Sequence, residues 1–241
     1  MVDLVNKRKS LGIIGGVSPY STTQFYLTII EQYKTLTNGD IPRILIDSLS
    51  ISKKMEENFI KSGFDDFEYL SLIKNSINFF NDNFCNFIVM PCNSLHKFED
   101  EFTNIIKTEF ISITSETTIY AAKKQYKKVG ILGVHSTIND KIFELKFNKI
   151  GIETILLDSN QQIHFNQIIL NVINNKELDS DKILLKKFID YFIANQCDCI
   201  ILACTELQFL FKNINVPKDF IDIIDSFDIL VNSTLSKLLD K

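Results

Sequence analysis

The sequence lacks three features that would assign it to a membrane, a nucleic acid or a secretory route. No apolar run approaches the roughly 20 residues that a membrane-spanning helix needs. The formal net charge is −4, and no basic stripe is present that could neutralise phosphates; the lysine pairs 123–124 and 127–128 are typical of a solvated face. The first ten residues are polar and contain no apolar leader segment. We therefore expect a cytoplasmic protein whose partner is a small molecule, with no nucleic acid and no membrane.

Tryptophan is absent, which excludes no class of function, and the cysteine content is more informative. Five cysteines in 241 residues, without a secretion signal, are expected to be reduced thiols. The chain is 45% hydrophobic and 23% charged, which is typical of a globular protein with a sizeable core. Its length suits one large domain or two small ones.

One pattern occurs twice in the chain. Residues 86–94 form an apolar run that ends in Cys92 and two small polar residues, and residues 198–206 repeat this pattern around Cys204. Two further pairs recur in the same order, namely 11–16 with 129–134 and 110–113 with 220–223. Repeats in one order at nearly one offset indicate a duplicated α/β unit, and two units favour two domains.

The alternation of strand and helix patterns predicts an α/β fold of two pseudo-symmetric domains, each a parallel sheet flanked by helices. The first domain is expected at 1–114 plus 225–241, because the C-terminal helix should return to it, and the second at 115–224. Predicted strands are 11–14, 44–46, 86–91, 110–113, 128–133, 152–157, 198–203 and 220–224. A first helix is predicted after a cap at Ser21-Thr22. Further predicted helices are 67–81, 95–107, 117–125, 139–149, 165–174, 180–195, 206–212 and 227–239.

The repeated pattern places a thiol at the carboxyl end of a strand, where a helix is expected to begin. The helix dipole and unpaired N–H groups at such a position favour the reactive thiolate. The same N–H groups, together with Asn93, Ser94 and Thr205, would also bind a carboxylate. A pseudo-twofold axis would bring Cys92 and Cys204 to opposite walls of one cleft. This arrangement suits removal of a proton from one face of a stereocentre and its delivery to the other.

Two other motifs fit known sites less well. Cys85, Cys197 and Cys199 lie at no strand-to-helix junction, and the pair 197/199 has no matching ligand pair for a metal, so we interpret all three as structural. The segment Gly12–Gly16 lacks the third glycine of a dinucleotide fingerprint and is better explained as a tight turn. A nucleotide-binding regulator nevertheless remains the alternative from a different class.

Three motifs together resemble the aspartate/glutamate racemase family of cofactor-independent amino-acid racemases. They are Gly15-Gly16-Val17-Ser18-Pro19, Pro91-Cys92-Asn93-Ser94-Leu95-His96 and Ala203-Cys204-Thr205-Glu206-Leu207, and the resemblance extends from about Leu11 to Leu239. It implies an isomerase in which two cysteines are the acid/base pair. It also implies that no pyridoxal phosphate, other cofactor or metal is used and that the protein is a homodimer.

Carried over by position, the resemblance makes Cys92 and Cys204 the catalytic thiols. It assigns substrate contacts to Val17, Asn58, Asn93, Ser94, Thr137 and Thr205. Relatives that bind aspartate or glutamate present a Lys or Arg to the distal carboxylate, whereas His164 stands near that place here. A protonated histidine would serve that role. Glu206 would orient a thiol or the substrate amino group, or stabilise the following helix as a dipole partner.

Aspartate is the leading substrate on this interpretation, with glutamate beside it, and other readings stay open. One is a racemase or isomerase of another small carboxylate, such as a broad range of amino acids, a hydantoin or maleate. Decarboxylation of a malonate is disfavoured because both thiols are present. A non-catalytic amino-acid-binding protein with the same cleft is the non-enzymatic alternative.

Overall fold

The computed structural model describes residues 9–55, 58, 66–211 and 221–240. The described strands form two four-stranded sheets in which every pairing is parallel. Strands of the first sheet are β1 (Ser10–Gly15), β2 (Arg43–Ser48), β3 (Phe87–Val89) and β4 (Glu109–Ile111); strands of the second are β5 (Lys128–Leu132), β6 (Glu153–Ile155), β7 (Cys199–Leu202) and β8 (Asp222–Asp225). Their spatial orders, β2-β1-β3-β4 and β6-β5-β7-β8, are the same topology used twice. The predicted fold class is confirmed.

Helices connect the strands, as parallel pairing requires. They are α1 (Pro19–Leu36), α2 (Asp66–Asp82), a 3-10 helix (Ser94–Phe98), α3 (Glu99–Thr103), α4 (Ile113–Lys123), α5 (His135–Asn139), α6 (Glu144–Lys149), α7 (Ser159–Ile173), α8 (Asp179–Ala194), α9 (Leu207–Phe211) and α10 (Ser226–Leu238). Within the described part of the chain, no helix is both long and apolar enough to cross a membrane.

The duplication extends to individual hydrogen bonds at the start of the sheets. Asn86 accepts from the Ser10 N–H through Oδ1 at 2.7 Å and donates its own N–H to the Ser10 carbonyl at 2.9 Å. Asp198 does the same with Lys128, at 2.9 and 2.8 Å. In each sheet a side chain just before the third strand therefore fixes the first strand, which sets the register of the two.

Equivalent glycines let a helix approach each first strand closely. A Cβ atom added to Gly12 in β1 would lie 2.9 Å from the ring of Phe80, and one added to Gly130 in β5 would lie 2.4 Å from the ring of Phe192. Both phenylalanine side chains are fully buried. Glycine in the strand therefore leaves room for the phenylalanine ring that packs against one face of each sheet.

The chain groups into two compact units. The first has the bounds Met1–Ile51, Asp66–Glu116 and Phe227–Lys241, and the second has Ser52–Asp65 and Thr117–Ser226. In the first unit, Phe227 of α10 meets Phe25 of α1 edge to face, with ring centroids 5.6 Å apart. The predicted boundaries at 114/115 and 224/225 stay a prediction.

Several predicted helices differ from the structure, three of them for identifiable local reasons. The helix predicted at 95–107 begins as 3-10, departs from α geometry at Phe98 (φ −92°, ψ 8°) and ends at Thr103. The helix predicted at 139–149 is two short helices, and Lys141 between them has a positive φ of 52°. Helix α7 starts six residues before its predicted start at 165, because Asp158 and Gln161 form a capping box.

Candidate functional site

Each repeated cysteine lies two or three residues after the strand that is third in the order of its sheet. Cys92 follows β3 and Cys204 follows β7, and the two residues are 9% and 7% exposed. In each sheet the strand that comes first in the sequence, β1 or β5, pairs with a strand on each side, so the strand order reverses between β1 and β3 and between β5 and β7. Ligands of open α/β sheets bind at the carboxyl ends of the strands beside such a switch point. The two thiols are therefore at the ligand-binding edge of their own sheets.

The Cys92 thiol lies beside a hydroxyl group. Its Sγ is 3.6 Å from Ser94 Oγ, and both residues are buried. The buried ring of His96 fixes the backbone there, because Nδ1 is 2.7 Å from the Cys92 carbonyl oxygen and Nε2 is 3.3 Å from the Ile113 N–H. A donor at Nδ1 and an acceptor at Nε2 define a neutral imidazole. His96 therefore positions Cys92, a role that the sequence motif did not predict.

The Cys204 thiol lies beside a carboxylate instead. Cys204 Sγ donates to Glu206 Oε2 at 3.0 Å, and Thr205 Oγ1 donates to the same oxygen at 3.2 Å. Gln208 holds this turn through a 2.9 Å hydrogen bond to the Thr205 carbonyl. The two sites are thus equivalent in the fold and different in their chemistry: a hydroxyl stands beside one thiol and an acid beside the other.

The described helices after the two thiols are short. Five residues of 3-10 helix follow Asn93, and the described part of α9 is Leu207–Phe211. Short helices align few peptide dipoles, so the predicted dipole contribution to the thiols is smaller than a long helix would give. The hydrogen-bonding side chains beside the sulfurs are the stronger local influence. Asn93 is the N-cap of its helix and, like Ser94 and Thr205, is buried.

Thr137 has the environment expected of a ligand contact. It lies in α5, just after β5, and is 1% exposed, and its Oγ1 has no hydrogen-bond partner among the described residues. The corresponding threonine of the first sheet, Thr22, is satisfied, because Oγ1 accepts from the Gly16 N–H and donates to the Ser18 carbonyl. A buried hydroxyl without a partner is costly unless something binds it.

The positions of the other predicted substrate contacts give less support for their roles. Val17 is half-buried in the bend after β1, and Asn58 is half-buried in a segment whose neighbours on both sides lie outside the described residues. His164 is on the exposed face of α7, with Nδ1 2.9 Å from the Asn160 carbonyl oxygen. Its predicted role towards a distal carboxylate therefore stays a prediction.

Two buried amides on the opposite side of α7 were missed by the sequence reasoning. Gln162 donates to the Gly133 carbonyl and to Asn166 Oδ1, both at 2.9 Å, and Asn166 Oδ1 accepts from the His135 N–H at 3.0 Å. These bonds hold the loop after β5, next to Thr137. A polar pair four residues apart among the apolar positions of a helix was the signal that could have identified them.

The turn after β1 needs glycine for geometric reasons. Gly16 has φ +91°, and an added Cβ would lie 2.4 Å from the backbone nitrogen of Leu49. Gly15 in turn contacts Thr22, which an added Cβ would approach to 2.4 Å. The close backbone of Leu49 at Gly16 and the close side chain of Thr22 at Gly15 account for the Gly15-Gly16 pair without a nucleotide.

The remaining cysteines are buried away from these turns, and burial raises the pKa of each. The pKa of Cys197 rises to about 11, mainly through burial, against an opposing effect of Lys128. The pKa of Cys199 rises further because Asp198 and Asp222 add to its burial. The pKa of Cys85 is also raised by burial, partly offset by Arg43. Within the described residues there is no cluster of His, Cys, Asp and Glu able to hold a metal.

Known proteins match nearly the whole chain. The family model for Asp/Glu/Hydantoin racemase matches residues 14–234. The broad specificity amino-acid racemase RacX of Bacillus subtilis (strain 168) is 27% identical over 237 residues, with 95% of this chain and 98% of that protein covered. Two solved structures share the fold: an aspartate racemase homologue of Pyrococcus horikoshii OT3 (TM-score 0.75, 19% identity, 97% and 100% covered) and the aspartate racemase of Picrophilus torridus (TM-score 0.72, 24% identity, 95% and 93% covered).

These matches confirm the resemblance stated from the sequence, together with the predicted enzyme class. The duplicated parallel sheets, the buried cysteine after the third strand of each and a family match over most of the chain agree with one another. The chain belongs to the Asp/Glu/Hydantoin racemase family and is an isomerase.

Proposed function

We propose that this protein interconverts the enantiomers of an amino acid, with Cys92 and Cys204 as its acid/base pair. The observation that supports the proposal is the equivalent position of the two cysteines in the two sheets. The two thiols follow equivalent strands of two sheets with the same topology, each at the edge where ligands bind. A reaction with a proton donor and a proton acceptor on opposite faces of one carbon needs such a duplicated pair. The family match supports this class of reaction.

The neighbours of the sulfurs suggest which protonation state each thiol has at rest. Glu206 accepts a hydrogen bond from Cys204, so Cys204 carries its proton and is the acid. Ser94 Oγ, 3.6 Å from Cys92 Sγ, can donate to a thiolate, so Cys92 is the base. For one enantiomer the Cys92 thiolate takes the Cα proton while the Cys204 thiol gives its proton to the opposite face. For the other enantiomer the two cysteines exchange roles.

Substrate binding uses the polar groups around the thiols. Asn93, Ser94 and Thr205 bind the α-carboxylate, and the unsatisfied hydroxyl of Thr137 is a further contact. Glu206 is close enough to Cys204 to hold the thiol and to attract the ammonium group of the substrate. The chain's own side chains supply both the acid and the base, so the proposed reaction uses no pyridoxal phosphate.

Aspartate is the first candidate substrate, with glutamate next to it. Broad specificity for amino acids is the second, and one observation favours it: His164, the side chain nearest in sequence to the expected distal cation, is exposed and hydrogen-bonded to its own helix. A racemase without a fixed cation for the distal group would discriminate weakly among side chains. The name of the Bacillus subtilis relative is consistent with this second candidate.

The test is exchange of the Cα proton with solvent. The protein is incubated in D₂O with each common amino acid. NMR follows the loss of the Cα–H signal, and chiral chromatography follows the loss of optical purity. Cys92→Ala and Cys204→Ala are each expected to reduce racemisation by at least about a hundredfold, the scale of one acid/base group. Cys85→Ala removes a buried thiol outside the site and is the matched control, with circular dichroism to verify folding. Racemisation at the wild-type rate by either variant would refute the thiol pair.

The exchange assay, together with measurements of ligand binding and thermal stability, separates the alternatives. Turnover of maleate or a hydantoin in place of amino acids would indicate another small-carboxylate isomerase. Saturable binding of amino acids without Cα exchange would indicate a binding protein. Stabilisation by a nucleotide alone would favour the regulator. With His164→Gln, a rise of KM for aspartate and none for alanine would assign the distal carboxylate to His164, whereas an unchanged ratio would favour broad specificity.

A further inference from the structure

A cavity lies where the strands of the first sheet begin, at the edge opposite the one that carries Cys92. Its volume is about 570 Å³, within the range of about 300–1,000 Å³ that is usual for small-molecule sites. It is lined by the end of α2, the turn into β3 and the segment before β4, with Asp82, Phe84, Cys85 and Lys107 among the lining residues. All of these residues belong to the first unit. The proposed thiol pair makes no use of this cavity.

Hydrogen bonds of polar side chains hold the walls of the cavity in place. Asn81 donates from Nδ2 to the Ile105 carbonyl at 2.8 Å and accepts from the Lys107 N–H through Oδ1 at 3.0 Å. Thr108 Oγ1 donates to the Asn86 carbonyl. These bonds connect the segment before β4 to the end of α2 and to the start of β3. The cavity is therefore formed before a ligand binds.

Phe84 stands out among the lining residues in both exposure and backbone conformation. It is 85% exposed, and its φ of 54° lies in the left-handed region. This region favours glycine and short polar residues and is an outlier for a bulky side chain. The other non-glycine residues with positive φ in the described part of the chain are all polar or charged. An aromatic ring at this position therefore needs a reason other than the turn itself.

The second unit contains the same turn at the end of the equivalent helix. The Cys85 N–H donates to the Phe80 carbonyl at 3.2 Å, and the Cys197 N–H donates to the Phe192 carbonyl at 3.1 Å. Each bond spans five residues and closes the end of a helix around a left-handed residue, as in a Schellman motif. The two turns can therefore be compared residue by residue.

This comparison separates the needs of the fold from those of a ligand. Gln196, with φ 58°, takes the place of Phe84, and Ala194 takes the place of Asp82. Because glutamine and alanine form the same turn, the fold requires neither the ring nor the carboxylate. Both side chains line the cavity of the first unit. Their chemistry therefore indicates what the cavity binds.

We infer that the cavity binds an aromatic α-amino acid as its zwitterion, at a site separate from the two thiols. The carboxylate of Asp82 and the negative end of the α2 dipole attract the ammonium group of the ligand. The ammonium group of Lys107 attracts the ligand carboxylate, and the Phe84 ring packs against the ligand ring. Asp82 and Lys107 are exposed, so the ring contributes more to affinity than either charge. The inference does not depend on the proposed reaction.

Ligands that lack one charge test the two charged side chains separately. The probes are L-phenylalanine, phenethylamine, which has no carboxylate, and phenylpropionate, which has no ammonium group, with Kd measured by NMR titration. Asp82→Asn is expected to raise Kd about two- to fivefold for L-phenylalanine and phenethylamine and to leave phenylpropionate unchanged. Lys107→Gln is expected to raise Kd by a similar factor for L-phenylalanine and phenylpropionate and to leave phenethylamine unchanged.

Replacing the ring tests the main contact. Phe84→Gln copies the residue of the equivalent turn, so it should fold, and it is expected to raise Kd for all three probes at least about tenfold. Phe67→Gln, at the start of α2, removes a phenylalanine of equal exposure (86%) outside the cavity and is the matched control. A wild type that does not bind L-phenylalanine would refute the inference. So would a Phe84→Gln variant that binds as the wild type does.

Alkylation of buried cysteines locates the bound ligand. Cys85 and Cys197 are equivalent in the two units and are 6% and 5% exposed, and Cys85 lines the cavity. L-phenylalanine at ten times its Kd is expected to slow modification of Cys85 by N-ethylmaleimide about tenfold and to leave Cys197 unchanged, as measured by peptide mass spectrometry. Equal protection of the two cysteines, or protection of Cys92 and Cys204 alone, would refute a separate site.

Discussion

Replacing Glu206 by glutamine tests whether its carboxylate holds the acidic thiol. Glu206 Oε2 is 3.0 Å from Cys204 Sγ and 3.2 Å from Thr205 Oγ1, in a side chain that is 8% exposed. Glutamine keeps the volume and removes the charge. Hydrogen bonds to charged groups contribute about 1.5–3 kcal/mol and neutral ones about 0.5–1.5 kcal/mol, so the variant loses roughly 1–2 kcal/mol. Because 1.4 kcal/mol is a factor of ten, kcat/KM for racemisation should fall roughly 5- to 30-fold.

The second readout of this variant is the reactivity of the thiol itself. Loss of the neighbouring negative charge makes ionisation of Cys204 easier, so alkylation of Cys204 by iodoacetamide should accelerate. Labelling of Cys92, which lies beside Ser94, should not change. Peptide mass spectrometry measures both sites in one sample, and Glu101→Gln, on an exposed glutamate, is the matched control. Unchanged kcat/KM together with unchanged labelling of Cys204 would refute the role of Glu206.

Two predictions concern stability. Gly130→Ala, whose added Cβ would lie 2.4 Å from the Phe192 ring, should lower the free energy of unfolding by about 1–3 kcal/mol in urea denaturation. In the double variant, Phe192→Leu should recover part of this loss. A Gly130→Ala variant more stable than the wild type would contradict the packing argument. Burial raises the pKa of Cys197 to about 11, above the value of about 8.5 for an unfolded thiol, so between these values the unfolded chain has lost a proton that the folded chain keeps. Stability should therefore fall as pH rises through this window, by up to about 1.4 kcal/mol per pH unit for each such group, and Cys197→Ala should flatten that slope.

The sheets could be predicted from sequence because their signals are local. A strand in a parallel sheet is an apolar run bounded by turn residues, and the run before Cys92 has this form. Its recurrence before Cys204 indicated a second sheet without any knowledge of tertiary contacts. The position of each thiol after its strand follows from the same run.

Other features depend on contacts between residues far apart in the chain. The hydrogen bonds of Asn86 to Ser10 connect positions 76 residues apart, and the sequence near either residue contains no pattern that predicts them. The ring of His96 is fixed by Ile113, 17 residues later. The start of α7 has a local sequence signal, because Asp158 and Gln161 have the spacing of a capping box. The apolar pattern of this helix begins later, and the predicted start at 165 followed that pattern.

The exposure of His164 shows a limit of carrying a residue over by position. An alignment gives the place of a residue along a helix but not the face on which the helix presents it, and neighbouring positions differ by about 100° around the helix axis. Gln162 and Asn166, two positions away on either side, are buried. A small difference in alignment would therefore exchange a solvent-facing residue for one that faces the sheet.

The last helix has a consequence for how the chain is made. Phe227 and Leu230 of α10 belong to the buried cluster of the first unit, against Phe25 near the start of the chain. Helix α10 is synthesised after the rest of the first unit, so one side of that unit's interior is closed only when α10 is available. Until then its apolar surface is exposed to any chaperone or neighbouring chain, whereas both segments of the second unit, Ser52–Asp65 and Thr117–Ser226, are synthesised before Phe227 and Leu230 and can fold earlier.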